Sequence, residues 1–169
     1  MLLRPLADAD EDEVQLAQAE LLADGFKFLL DDERDDESWP AYVRRVASWR
    51  DGEALSPHVV PSTFLVAEVD GRLVGRVSIR HELTPWLREF GGHIGYCVRP
   101  GFRRRGHARE ILRQALGIAR DVGVASALVT CDEDNLASAA TIEACGGHFD
   151  RLAEPVPGEP PLRRYRVPT

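Results

Sequence analysis

The sequence predicts an α/β fold built on a mixed sheet, and three observations carry that prediction. An apolar, strand-like run, Ile94–Val98, turns through a proline, two glycines and a cluster of arginines into the amphipathic stretch Glu110–Val122. Asp70-Gly71 separates two runs rich in β-branched residues, Thr63–Val69 and Arg72–Arg80, which is the strongest short-range hairpin signal. The apolar periodicity changes along the chain in the order strand, helices, three strands, helix, strand, helix, strands. A chain of 169 residues is long enough to bury a core and is expected to form one domain over 1–169.

Each element has its own local reason. Met1–Pro5 is short and apolar and reads as a first strand. Asp8, Asp10, Glu11 and Asp12 precede Val14, Leu16, Ala17, Leu21 and Leu22. Carboxylates before apolar residues at helical spacing predict a helix ending near Gly25. The acidic run Asp31–Glu37 is a solvated loop or helix start, or else an acidic rim that attracts a cationic amine. Ser38 is placed as an N-cap with Pro40 in the first turn, and Trp39, Tyr42, Val43, Val46 and Trp49 form the buried stripe of that helix. Leu55–Pro61 is a loop, and after the hairpin Trp86 and Leu87 lie in a segment predicted to form a short helix over the site. Strand Gly92–Val98 leads into the arginine turn. In the helix that follows, Ala108, Ile111, Leu112, Ala115, Leu116, Ala119 and Val122 recur at three and four residues, and Gly123 closes it. Ala125–Cys131 reads as a strand, Asn135 caps a helix through about Cys145, and His148–Leu152 and Arg163–Val167 are two last strands.

Composition excludes several functional classes. With 44% hydrophobic and 29% charged residues the chain is an ordinary globular protein. It has no apolar run of membrane-spanning length and no basic-then-apolar leader, so no membrane association is expected. Cys97, Cys131 and Cys145 are odd in number and lack CxxC spacing. That argues against a disulfide framework and a zinc site, so no metal is expected and a cytoplasmic location is. A net charge of −7 disfavours nucleic-acid binding. Against it, Arg99–Arg105 stands out as a local positive site.

A strand that turns sharply into a helix leaves the first helical N–H groups unpaired at the positive end of the helix dipole, which suits a phosphate. Gly106 lets backbone approach a ligand, and Ala108 is nearly as small. Arg103-x-x-Gly106-x-Ala108, preceded by Val98-x-Pro100-x-Phe102, resembles the signature of the GNAT superfamily of acyl-CoA-dependent N-acyltransferases. Asn135-x-x-Ser138 followed by Gly146-Gly147 resembles the second conserved block of that family. The run from Gly91 to Tyr96, with Cys131–Asn135 and Ile142-Glu143, is similar to a group of bacterial acetyltransferases without an assigned substrate.

The resemblance implies a mixed, mostly antiparallel central sheet, splayed at its middle strands and flanked by helices. It implies acetyl-CoA as co-substrate, a primary amine on a small or amino-acid-like molecule as acceptor, and direct attack in a ternary complex; a homodimer is compatible with it. The pyrophosphate falls on Arg103, Arg104, Arg105, Gly106, His107 and Ala108, and the pantetheine arm on the backbone near Tyr96 and Val98. The Val98 N–H becomes the oxyanion donor, and Asn135 and Ser138 a second cofactor contact. Related enzymes often carry a tyrosine acid in the last conserved helix, where this chain has Ile142. Acyl transfer also needs a neutral amine. Antiparallel pairing of Arg72–Arg80 with Gly92–Val98 would gather His81, Glu82 and His93 as candidate bases near the acceptor side. Cys131 as a nucleophile is a weaker candidate than Cys131 as a small buried hydrophobe. The alternatives are a non-catalytic acyl-CoA-binding module, supported by the missing tyrosine, and a nucleotide-binding protein, opposed by the lack of a Gly-x-x-x-x-Gly-Lys-(Ser/Thr) motif.

Overall fold

The structure is a computed structural model that describes residues 1–30, 37–53, 59–153 and 161–169. Its strands and α-helices are β1 (Leu2–Arg4), α1 (Glu11–Leu22), α2 (Trp39–Ser48), β2 (Ser62–Val69), β3 (Arg72–Arg80), β4 (Ile94–Val98), α3 (His107–Asp121), β5 (Ser126–Asp132), α4 (Leu136–Ala144), β6 (His148–Leu152) and β7 (Leu162–Pro168). Most of the acidic run, 31–36, and most of the 55–61 loop lie outside the described residues. Glu37, at the end of that run, is described and holds Arg45 of α2 at 2.6 Å.

β1, β2, β3 and β4 pair in that order, all antiparallel; β5, β7 and β6 form a second antiparallel sheet. The sheets meet at β4 and β5. These two strands run in the same sense: His93, just before β4, bonds Leu128 early in β5, while Tyr96 and Asp132, further along each, line one cavity. They form no ladder, and this is the splay expected of the middle strands.

Period-two alternation sends the two faces of the first sheet to different partners. Leu65, Ala67, Val77, Ile79, Ile94 and Val98 pack against Ile111, Leu112, Ala115 and Ala119 of α3 and onward to Val129, Ile142 and Tyr165. Phe64, Val66, Leu73 and Cys97 pack against Val14, Ala17 and Leu21 of α1 and Tyr42, Val43 and Val46 of α2. Each fully buried aliphatic side chain contributes about 1.5–3 kcal/mol, so the helices are held by their apolar stripes.

Ser38 is the N-cap of α2 with Pro40 in the first turn, as expected, although its side chain makes no capping bond. Two local expectations need correction. The segment after Trp86 is a π-turn, Leu87–Gly91, whose Thr130 contact through the Phe90 carbonyl (2.9 Å) seats it on β5 rather than over the main cavity. Arg99 does not belong to the exposed positive cluster. It is 1% exposed and its guanidinium is neutralised by Glu20 (2.8 and 2.9 Å) and Glu13 (3.1 Å), tying the end of β4 to α1.

Candidate functional site

The arginine turn builds its cavity from backbone. Arg104 (φ 61°) and Gly106 (φ 80°) are both left-handed, which folds the chain back before α3 begins at His107. Gly106 is the N-cap, so no side chain caps this helix. The first N–H with an acceptor is that of Glu110, to the Gly106 carbonyl at 3.1 Å. The N–H groups of His107, Ala108 and Arg109 therefore stand unpaired at the positive end of a 15-residue helix, free for an anion. A Cβ on Gly106 would meet nothing within 4 Å, so the space in front of these groups is open.

The cleft that begins here has a volume of about 710 Å³, within the range of small-molecule sites. It runs past Val98 and Tyr96 of β4 to Asp132, Asn135 and Ser138, with the end of α1 as its other wall. Register explains why β4 can serve it. The Arg99 N–H bonds the Val74 carbonyl and the Arg80 N–H bonds the His93 carbonyl, so the odd-numbered residues of β4 turn their backbone groups to β3. Tyr96 and Val98 turn theirs the other way, into the splay, where no β5 ladder receives them. Arg103 Nε donates to the Val98 carbonyl at 3.1 Å, which leaves the Val98 N–H as the open group.

The predicted cofactor residues are thus brought together. Tyr96, Val98, Arg103, Arg104, Gly106, His107, Ala108, Asn135 and Ser138 all line this cleft. Arg105 does not: it lies beside Phe102, donating to the Gly101 carbonyl at 3.1 Å. Arg103 is partly committed, since it also pairs with Asp24 at 2.7 Å. Asn135 caps α4, its Oδ1 accepting the Ser138 N–H at 3.0 Å, and so holds Ser138 toward β4. The Tyr96 hydroxyl meets Ser138 Oγ at 3.0 Å across the splay, a contact not foreseen from the sequence. Burial pushes that phenol up to about 12. Cys131 is buried and burial pushes its thiol up, which suits a core residue and not a nucleophile. Ile142 is fully buried in the core.

The candidate bases do not gather. β3 pairs antiparallel with β4 as expected, but the two histidines part toward opposite edges. His81 turns to β2, its Nε2 2.9 Å from Thr63 Oγ1, and its pKa is lowered by burial and by Arg50. Glu82 is exposed. His93 turns to β5. Its N–H donates to the Leu128 carbonyl (2.7 Å), and its Nδ1 accepts the Leu128 N–H (2.9 Å). The only lone pair of the neutral ring is thereby used, and burial, Arg166, Arg88 and Arg80 push its pKa down to about 4. The parity change that permits this comes from Gly92 at φ 63°, where any Cβ would meet the Leu128 carbonyl at 2.6 Å. None of His81, Glu82 and His93 lines the cleft.

A second, smaller cavity of about 230 Å³ lies on the α1–α2 side of the sheet, lined by Leu30, Trp49, Ser62, Ser78, Arg80 and Leu87 among others. It was missed in the sequence. The available signal was the alternation Arg76-x-Ser78-x-Arg80 with apolar Val77 and Ile79, a polar stripe on a strand covered on both faces.

Comparison with known proteins follows from this geometry. The model of the acetyltransferase (GNAT) family matches residues 22–146. No curated protein matches the sequence. Among solved structures, the ribosomal-protein-alanine N-acetyltransferase of Brucella melitensis is 18% identical with a TM-score of 0.66, all of each chain being covered. An acetyltransferase from Agrobacterium tumefaciens is 22% identical, TM-score 0.65, covering 99% of this chain and 90% of that one. The microcin self-immunity acetyltransferase MccE, solved with acetyl-CoA and AMP, is 17% identical, TM-score 0.68, covering 99% and 91%. At these identities the likeness is one of fold.

Proposed function

The chain belongs to the GNAT family of acetyltransferases, and on that premise we propose that it moves an acetyl group from acetyl-CoA to the primary amine of a small, amino-acid-like acceptor by direct attack in a ternary complex. The observation that carries this is the single cleft in which the unpaired N–H groups of His107, Ala108 and Arg109 continue into the outward-turned backbone of Val98 and Tyr96. Acetyl-CoA, bound in the similar MccE structure, supplies the activated acyl group.

The N–H groups at the start of α3 hold the pyrophosphate, with Arg104 adjacent and Arg103 free to exchange Asp24 for phosphate oxygen. Tyr96 and Val98 offer strand-like bonds to the peptide-like arm. The Val98 N–H donates to the thioester oxygen as charge develops there; one such donor contributes about 3 kcal/mol in other enzymes. As the amine nitrogen bonds to the acetyl carbon, the carbon–sulfur bond breaks, the amine loses a proton to water and CoA departs as its thiolate. Tyr96 steadies the departing sulfur by hydrogen bonding, not as an acid. A phenol at about 12 yields its proton to a thiolate of pKa about 8.5 only at a cost of about 5 kcal/mol.

The amine proton passes to water, because His93 has spent its lone pair on Leu128 and His81 faces Thr63. An amine of pKa about 10.4 must then be deprotonated at a cost of about 4.6 kcal/mol at pH 7. kcat/KM is accordingly expected to rise about tenfold per pH unit between pH 6 and 9, with no inflection near the histidine value. A plateau starting near pH 6.5 would restore a histidine base. Thermal unfolding with acetyl-CoA, CoA and ATP side by side tests the cleft itself. At a hundred times Kd a ligand adds about 2.7 kcal/mol. Stabilisation by both CoA species but not by ATP supports the assignment, and no shift with either removes it.

A further inference from the structure

The buried arginines among the described residues follow a pattern, and the half-buried Arg80 departs from it. Arg45 pairs with Glu37, Arg99 with Glu13 and Glu20, and Arg164 with Glu89 and Asp150. Arg76 has no carboxylate, but its three nitrogens donate to the carbonyls of Phe28 (3.0 Å), Gly95 (3.1 Å) and Lys27 (2.9 Å). Arg80 has neither arrangement. One nitrogen, NH1, bonds the Gly91 and Gly92 carbonyls at 3.0 and 2.9 Å, while its Nε and NH2 have no hydrogen-bond partner and its charge no carboxylate among the described residues. Burial and the nearby Arg76 push its pKa down to about 10, the direction expected of a cation without an anion.

The cavity that Arg80 lines presents several donors and, among the described residues, no carboxylate. Trp49 is 2% exposed and lines the same cavity, yet its indole N–H has no acceptor; the indole of Trp39, by contrast, bonds the Asp8 carbonyl at 3.0 Å. Ser62 and Ser78 add two hydroxyls to the wall. An unpaired buried N–H such as that of Trp49 costs about 1–3 kcal/mol. An anion with two acceptor oxygens in this cavity would remove that cost and pair with the half-buried Arg80 guanidinium. At about 230 Å³ the cavity has room for one small group and not for a polymer.

We propose that this cavity is the acceptor's carboxylate subsite, with the Arg80 guanidinium and the Trp49 indole N–H as its donors and a free amino acid as the class of acceptor. The inference rests on the acetyl-transfer reading for the identity of the ligand. Position along the strands supports it. Ser78 stands opposite Gly95 in the β3–β4 register, and a side chain at Gly95 would meet only the Arg76 guanidinium, at 3.8 Å. The Arg80 N–H bonds the His93 carbonyl, which puts the cavity three residues, about 10 Å, along β4 from Tyr96, with the Arg76 guanidinium on the Gly95 carbonyl between them. On the proposal, a carboxylate at Arg80 leaves the amine of the same molecule on the Tyr96 side.

The test compares L-amino acids with their carboxamides, each rate being expressed per neutral amine, since amidation removes the negative charge but also lowers the amine pKa. In wild-type protein, release of free CoA from acetyl-CoA is expected to favour the amino acid over its amide by about a hundredfold in kcat/KM. Arg80→Gln is expected to bring that ratio to within about threefold of one, and Arg80→Lys to restore part of it. Equal use of acid and amide by the wild type, or an unchanged ratio in Arg80→Gln, overturns the proposal and leaves Arg80 as a tie for the Gly91–Gly92 turn. Should Arg80→Gln fail to fold, the wild type still decides. The Trp49 indole N–H resonance, assigned by its loss in Trp49→Phe, is expected to move when each amino acid is titrated in the presence of CoA, and not with the amides. A resonance that moves without turnover keeps the carboxylate subsite and refutes the acceptor reading. A resonance that moves with none of the amino acids, with or without turnover, refutes the subsite.

Discussion

The two ends of the seam between β4 and β5 use the same two strands for opposite purposes. At the start, Gly92 and His93 press against Leu128, and N–H, carbonyl and imidazole are all satisfied there. At the far end, Tyr96 and Val98 face Asp132, Asn135 and Ser138 across an open cleft, which the Tyr96 side chain spans to Ser138. One end makes the fold by completing its hydrogen bonds. The other makes a binding site by withholding them. On the proposed reading, a ligand with a peptide-like arm would complete the sheet edge, beside the charges of Arg103, Arg104 and Arg109.

Substitutions at the two ends should separate binding from stability. The largest effect belongs to the open end. Gly106→Glu places a carboxylate before the unpaired N–H groups of α3, so CoA affinity by calorimetry should fall at least about a hundredfold, with no more than about 1 kcal/mol of backbone strain at a positive φ. Near-normal affinity would move the phosphate elsewhere. Gly92→Ala is the mirror case. Its Cβ meets the Leu128 carbonyl at 2.6 Å, and urea unfolding should show a loss of about 2–3 kcal/mol. An unaltered midpoint would mean that the joined end is not what holds the sheets together.

Acid should act on the joined end first. His93 has a folded value of about 4 against about 6.5 in the unfolded chain. As pH falls through this window the unfolded chain takes up the proton first, so stability declines between pH 6.5 and 4 and levels off below. Allowing for a ring that is partly exposed, the pH-dependent part of the difference from His93→Gln should be about 1 kcal/mol, with no further change above pH 7. A wild type and variant with parallel stability curves would deny the Nδ1–Leu128 bond its role. The smallest effect is expected from His81→Ala, which removes one hydrogen bond to Thr63 far from the cleft. kcat/KM should stay within about threefold and the rate–pH profile should keep its shape.

Much of this architecture was legible because its signals are local. The Asp70-Gly71 turn, the apolar stripe of α3, the Asn135 cap and the arginine turn each depend on residues within one helical turn or one hairpin, and each stands where it was expected. Family resemblance supplied the splay. What escaped were directions set by distant contacts. Whether Arg99 is a ligand for phosphate or for Glu20 depends on where α1 lies, and whether His93 is a base or a strap depends on one positive φ at Gly92. The Arg80 cavity escaped for the same reason, since it is walled by residues far apart in sequence, from Leu30 to Leu87.

The register of β4 also has a consequence in time. Its amide protons face alternate ways: those of Gly95, Cys97 and Arg99 are locked into β3, those of Tyr96 and Val98 look into solvent-filled space. Hydrogen–deuterium exchange along this one strand should therefore read as a comb, slow and fast by turns, although all its residues share one secondary structure and nearly the same depth. Ligand in the cleft would fill in the missing teeth and leave the others as they were.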